Sequence, residues 1–211
     1  AAHAGELELA APPYVVPGGE AVKKDLKRIE EIIRHFVDLR LCRHSLVVAV
    51  GGGAVLDAIG FATALFHRGL RLARVPTTVL AQNDVAVGVK NAMNFGDGKN
   101  LIGTFSPPFA VLNDFDFLRT LPDAVWIAGI SEAFKVAIIQ DAAFFKELCR
   151  DAKTLRARGE PAMERLIRRP PDSCIPRQFL NGSVISFLVG KVVIVLSQFR
   201  ILTVCKAIST P

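Results

Sequence analysis

Three consecutive glycines, Gly51, Gly52 and Gly53, separate the apolar run LVVAV from a helix-like stretch beginning at Ala54. Their missing Cβ atoms would let a pyrophosphate reach the backbone, and a helix starting there adds unpaired N–H groups and a partial positive charge. A tight turn is the other use of such a triplet. Asp57, one turn further on, is placed to meet a ribose or substrate hydroxyl, or else to favour the helix dipole. Thr77 and Thr78 follow the strand-like LARVP, and their adjacent hydroxyls suit a cofactor amide or a helix cap. Asp84, Lys90, Asn94, Lys99 and Asn100 then bring two cations, an acid and two amides into one polar segment. That set fits an anionic, polyhydroxylated ligand, each lysine acting as a point charge; solvated loop charges are the alternative.

Those residues need a scaffold. From Glu20 to Phe36, apolar Val22, Leu26, Ile29, Ile33 and Phe36 recur three or four apart, which predicts an amphipathic helix. The LVVAV run has no polar alternation, as in a strand buried on both faces of a parallel sheet. Ala54 to Phe66 reads as the next helix and HRGLRLARVPTT as a short strand and turn. The polar, Gly- and Asn-rich segment to Ser106 reads as loop, and AGISEAFKVAIIQD as a further helix. Helix, strand, glycine turn, helix and strand make a βαβ alternation. From Lys146 to Arg169, Glu147, Asp151, Glu160 and Glu164 interleave with bases as on a solvated, salt-bridged helix face.

At 211 residues, 51% hydrophobic and 22% charged, the chain has material for a real core, and the disordered, collagen-like and disulfide-scaffold classes are excluded. Cys42, Cys149, Cys174 and Cys205 form neither a CxxC pair nor a metal spacing. They read as reduced, mostly buried thiols in a cytoplasmic protein. No basic segment followed by an apolar one opens the chain, so nothing there argues for secretion. The lack of an initiator Met points to further residues upstream. The net charge of +6 comes without an aromatic or glycine motif for nucleic acid, so no such partner is expected. Residues 184–205 approach the length and apolarity of a membrane span, but Lys191 and Arg200 fall inside them, and no membrane partner is expected either. The stretch 170–211, where Arg177, Lys191, Arg200 and Lys206 face Asp172 alone, reads as an irregular, non-native tail.

The ordered series GGGAVLD, FHRG, VPTTVLAQND, VGVKNAMN, GKNLIGTF, NDFDFLRTLP and AGISEAFK resembles dehydroquinate synthase and the other sugar phosphate cyclases. The resemblance implies an α/β fold: a Rossmann-like NAD-binding domain over 1–122, incomplete at its N-terminus, then the start of an all-helical domain over 123–169. It implies NAD and a divalent metal, zinc or cobalt, a phosphorylated sugar substrate, and a homodimer. In that chemistry NAD oxidises an alcohol to a ketone, which acidifies the neighbouring C–H. Phosphate then leaves by β-elimination, the hydride returns, and an aldol step closes the ring, while the metal polarises the reacting hydroxyl.

Carried over by motif, Glu20 and Lys23 in GGEAVK resemble the family's cofactor-binding G-E-x-x-K, and Gly52, Gly53 and Asp57 its pyrophosphate turn. Thr77, Thr78, Phe117, Thr120 and Leu121 match residues around the nicotinamide and ribose. Asp84, Lys90, Lys99 and Asn100 match positions that contact cofactor and substrate, and Lys135 one that contacts substrate. Glu132 matches a metal ligand, and Arg68 an arginine lent to the partner subunit's phosphate pocket.

Two features depart from the family. In place of D-S-S-V-G-G-K-T the chain reads Asp84-Val85-Ala86-Val87-Gly88-Val89-Lys90-Asn91, with Val89 and Asn91 expected near the substrate. G-V-K-N is more similar to divergent cyclases, including those making valiolone-type cyclitols. Sedoheptulose 7-phosphate therefore stands beside 3-deoxy-arabino-heptulosonate 7-phosphate as a substrate. The second departure is that His3, His35, His44 and His67 all precede Glu132, whereas the family places two metal-ligating histidines after it. One carboxylate falls short of the roughly three protein ligands of a catalytic site. The chain is thus expected to be an inactive fragment, with a non-catalytic NAD-binding or dimerisation remnant as a further reading. Alcohol dehydrogenases of the glycerol dehydrogenase type share the GGGxxxD turn but not the K-N-A-M-N and K-N-L-I-G pair.

Overall fold

The computed structural model describes residues 9–169 and the backbone of 192–197. Its strands are β1 (Tyr14–Val16), β2 (Leu46–Gly51), β3 (Arg71–Pro76), β4 (Lys90–Phe95), β5 (Gly98–Phe105), β6 (Ala110–Val111) and β7 (Val192–Ser197). Its α-helices are α1 (Leu26–Asp38), α2 (Gly53–Leu65), α3 (Asp123–Gln140), α4 (Ala142–Arg156) and α5 (Glu160–Arg168).

All six residues of β2 are buried, and the reason is the covering of both its faces. Val47 and Ala49 join the cluster built by Ile29, Ile32 and Phe36 of α1 and Val55, Leu56 and Ile59 of α2. Leu46, Val48 and Val50 instead meet Ala73, Val75 and Phe117 on the opposite side. A strand so placed needs apolar side chains at every position. It pairs in parallel with β3, from Leu46 opposite Arg71 to Gly51 opposite Pro76. The full parallel sheet runs β1-β7-β2-β3-β6. A third cluster lies in the helical part, where Trp126, Ile130 and Ala133 of α3 pack on Phe144, Leu148 and Leu155 of α4 and Met163, Leu166 and Ile167 of α5.

Four sequence expectations change. The helix expected from Glu20 splits into a 3-10 turn, Gly19–Lys23, and α1, because Asp25 is extended and its carboxylate accepts from Lys27 N at 2.8 Å as an N-cap. The polar segment expected to be loop contains an antiparallel hairpin, β4–β5, turned by Gly96 and Asp97 with Gly96 at φ 55°. Cys42 and Cys149 are free but exposed, since each sits on a surface turn or polar helix face rather than in the core. Within the tail expected to be irregular, Val192–Ser197 form a strand between β1 and β2, because both neighbours offer parallel ladder positions there. Cys174, Cys205 and the rest of that tail lie outside the described residues. No described helix is long and apolar enough to cross a membrane.

Candidate cofactor and substrate site

The β2–α2 junction is a bare amide terminus. Gly52 is the extended residue before α2 and no side chain caps it. The helix ladder opens with Val55 N and Leu56 N donating to Gly52 O at 3.0 and 3.1 Å, so the Gly53 and Ala54 amides stand ahead of it. A Cβ at Gly52 would come within 3.2 Å of Thr78 Cγ2, and one at Gly53 within 3.1 Å of Val85 Cγ2. Glycine therefore keeps open a cradle that a side chain would fill. Thr77 N donates to Gly51 O at 3.0 Å, which ties the threonine pair to the turn. Thr78 Oγ1 accepts from Ala81 N at 3.2 Å, which is the capping use of that hydroxyl; its O–H proton remains to donate elsewhere.

Beside this cradle, residues far apart in the chain converge. Buried Lys23 donates to Asp57 Oδ2 at 2.7 Å and to Asn100 Oδ1 at 2.6 Å. Asn94 donates to Glu20 Oε2 at 3.2 Å and accepts from Asn100 N at 2.9 Å, fixing Asn100 in the left-handed region at φ 57°. Burial pushes the Asp57 carboxyl above its ordinary range, and the Lys23 ammonium pulls it part of the way back. A polyhydroxylated ligand entering here would meet a cation, a carboxylate and two amides already held in place.

A second group faces α3. Glu132 accepts from Lys135 at 2.8 Å, one turn along the helix. Asp84, in the π-helical turn Ala81–Val85, is open to solvent on one side, yet partial burial and then the Glu132 carboxylate push its carboxyl up. Lys135 and Lys90 oppose that shift, which puts the four groups in one electrostatic neighbourhood. The hydrogen bond to Glu132 and its charge raise the Lys135 ammonium in turn.

Other expected residues are not brought together in this way. Lys99 is exposed on the hairpin. Phe117 is buried under the sheet, Thr120 Oγ1 donates to Phe117 O at 3.0 Å, and Leu121 O accepts from Arg158 Nη1 at 2.7 Å. Arg68 is exposed at φ 65°. Among the described residues no three His, Cys, Asp or Glu side chains group as a metal site. Glu132 alone does not fit one, so no step is routed through a metal.

Asn91 differs from its expected place. It is buried, accepts from Arg74 Nη2 at 2.5 Å, and turns its amide donors to Thr104 Oγ1 at 3.3 Å and Ser106 O at 3.5 Å. It faces the interior, because a fully buried arginine needs its oxygen there. Arg74 is the residue that sequence reasoning passed over, although a cation within the apolar strand LARVP was the available signal.

The sequence family described as 3-dehydroquinate synthase N-terminal matches residues 13–128. The 3-dehydroquinate synthase of Pyrobaculum islandicum is 39% identical over 159 residues, 75% of this chain and 46% of its own length. That of Wolinella succinogenes is 45% identical over 132 residues, 63% of this chain and 38% of its own. The structure of a 2-epi-5-epi-valiolone synthase from Streptomyces hygroscopicus, with NAD+ and Zn2+ bound, superposes with a TM-score of 0.68 at 30% identity, over 73% of this chain and 43% of that one. The chain spans about half the length of the relatives it matches. With the glycine cradle and the Lys23–Asp57–Asn100 cluster both inside the matched residues 13–128, the chain belongs to the 3-dehydroquinate synthase family.

Proposed function

We propose that this chain is the NAD-binding half of a phosphate-eliminating cyclase of the dehydroquinate synthase type, with the first substrate-facing residues of the adjoining helical domain. The observation that carries the reading is the uncapped start of α2, with bare Gly52 and Gly53 packed against Thr78 and Val85. Backbone amides at a helix N-terminus suit a pyrophosphate, and Lys23, Asp57 and Asn100 stand beside it for hydroxyl groups of the dinucleotide. When bound, NAD would supply a reversible hydride acceptor. Around it, Thr77 and Thr78 orient the nicotinamide side, exposed Lys90 and Lys99 contact both the dinucleotide and a phosphorylated keto-sugar, and exposed Lys135 contacts that sugar alone. Asp84, its carboxyl raised by burial and by Glu132, sits where it can take and return a proton.

The substrate we favour is 3-deoxy-arabino-heptulosonate 7-phosphate, giving 3-dehydroquinate. Asn91, which together with Val89 suggested a sedoheptulose 7-phosphate substrate, is spent on Arg74 in the interior. A divalent metal, zinc or cobalt, would need ligands besides Glu132, and Arg68 would reach the phosphate pocket of a partner subunit in a homodimer. The 211-residue chain by itself binds NAD without turnover, since no histidine follows Glu132.

Calorimetric titration with NAD tests this. Saturable binding that is lost in Lys23→Ala and in Gly53→Val is expected, and a chain that folds but takes up no NAD would overturn the reading. Phosphate release from the two sugar phosphates, assayed with and without zinc, should be nil for this chain; zinc-dependent release would overturn the inactive assignment and identify the substrate directly.

A further inference from the structure

Arg74 is fully buried in β3 and among the described residues has no carboxylate in contact, which for a cation calls for a reason. Its hydrogen-bond partners supply one. Nη1 donates to Val85 O at 3.2 Å, Ala86 O at 3.1 Å and Gly88 O at 2.7 Å, and Nη2 donates to Asn91 Oδ1. All four acceptors belong to a single stretch of chain, 85–91. Asp84 precedes that stretch, Lys90 lies within it, and no other side chain donates to its carbonyls in a comparable way among the described residues.

The same node reaches α2. A Cβ on Gly60 would lie 1.8 Å from Asn91 Oδ1 and 3.2 Å from Arg74 Nη2, so the guanidinium and amide rest on the bare backbone of the helix whose first turn forms the glycine cradle. Asn91 in turn bonds to Thr104 and Ser106 at the end of β5, and Ser106 N donates to Val89 O at 2.8 Å. Three elements meet at this one cation: the cradle helix, the segment carrying Asp84 and Lys90, and the hairpin carrying Lys99 and Asn100. A leucine here would fill much of the space, but it would take this donor from two part-buried carbonyls, one buried carbonyl and a buried amide oxygen.

We infer that Arg74 is a positioning residue: its planar fork fixes 85–91 against α2, so that Asp84 and Lys90 stand at a set distance from the dinucleotide cradle. This rests on the NAD-binding reading only for its functional consequence; the clamping itself stands on the hydrogen bonds. Lysine keeps the charge but not the fork, and one ammonium cannot reach acceptors spread over seven residues.

Arg74→Lys is therefore the variant to make in the full chain, read by segment-resolved hydrogen exchange and by NAD titration. Faster exchange confined to 85–91, with β2 and α4 unchanged, is expected. NAD affinity should drop by about tenfold, the low end of what supporting residues behind a binding group cost elsewhere. Against a Lys90→Ala background Arg74→Lys should add little further loss, because both changes act through the same group. A folded Arg74→Lys chain with parental exchange at 85–91 would overturn the inference, and so would fully additive effects with Lys90→Ala. Should Arg74→Lys not fold, Asn91→Ala removes one acceptor while leaving the cation, and parental exchange and affinity in that variant would likewise overturn it. Should the unsubstituted chain bind no NAD, the proposed function falls, and the exchange comparison alone decides the role of Arg74.

Discussion

The sheet half and the helical half of this molecule use charge in opposite ways. Around the sheet, Lys23, Asp57 and Arg74 are withdrawn from water and bonded to amides and carbonyls of distant segments. In the helical half most ionic contacts lie at the surface, as in Arg119 with Glu160 and Arg168 with Glu164, and the pairs of Arg169 with Glu147 and Asp141 are only part-buried. Even Arg158, which donates to the carbonyls of Leu118, Arg119 and Leu121 much as Arg74 does to its loop, stays partly exposed, pairs with Asp123 and stacks over Trp126 at 4.9 Å. Exposed pairs contribute little and are screened by salt, whereas a buried charge left without its partners is costly. The first arrangement fixes positions, the second keeps helices soluble, and only the first surrounds the cradle.

The largest test of that division acts at its seam. Gly129 of α3 packs on the backbone after β3, where an added Cβ would lie 2.4 Å from Val79 Cβ and 2.7 Å from Leu80 N, and its carbonyl accepts from Asn83 Nδ2 at 3.0 Å. Backbone cannot step aside as a side chain can. Gly129→Ala should cost about 3 kcal/mol, the upper part of the range for overpacked sites. The chain's one tryptophan, Trp126, is bonded to Leu155 O at 2.7 Å and reports the helical half. Its unfolding in urea should separate from loss of the sheet signal in the variant, while a shared transition at the parental midpoint would show that the seam tolerates the methyl.

A smaller effect is expected inside the sheet half. Lys23→Met leaves the Asp57 carboxylate, already penalised by burial, without its cation. Breaking a buried pair costs roughly 3–5 kcal/mol, but Asp57 keeps part of its solvent contact, so about 2 kcal/mol is expected. Chemical denaturation measures it, and an unchanged midpoint would place this pair with the surface ones.

How much of this was readable from the sequence depends on range. The glycine cradle, β2 and α2 were legible because an unbroken apolar run, glycines and helix follow one another within about twenty residues. The hairpin was not, since Lys90, Asn91 and Asn94 give it the composition of a loop; the Gly96–Asp97 turn was its one local sign. The start of α1 was blurred because Val22 continues the apolar spacing across the Asp25 cap. Family motifs named Lys23, Asp57 and Asn100 separately, yet their bonding spans up to 77 positions and appears only in the fold. The burial of Asn91 is hidden for the same reason, since its partner Arg74 lies on β3, 17 positions away.

Acid should distinguish the halves most gently, and in opposite directions. Asp57 and Asp84 are raised by burial, so the folded state holds their protons more tightly than the unfolded chain does. Their contribution therefore grows as pH falls from their raised values toward the ordinary aspartate value of about 3.9. Asp141, Asp151 and Glu160 are held low, by the Phe144 amide at the α4 N-terminus, by Arg165 and by Arg119 respectively. The stability they lend is complete above the ordinary carboxylate range and is lost as pH falls through their depressed values. Between pH 6 and pH 3, the urea midpoint seen by Trp126 should fall while exchange protection of β2 and β3 holds or improves. Parallel decline of both signals would show that the buried carboxylates do not set the sheet half apart.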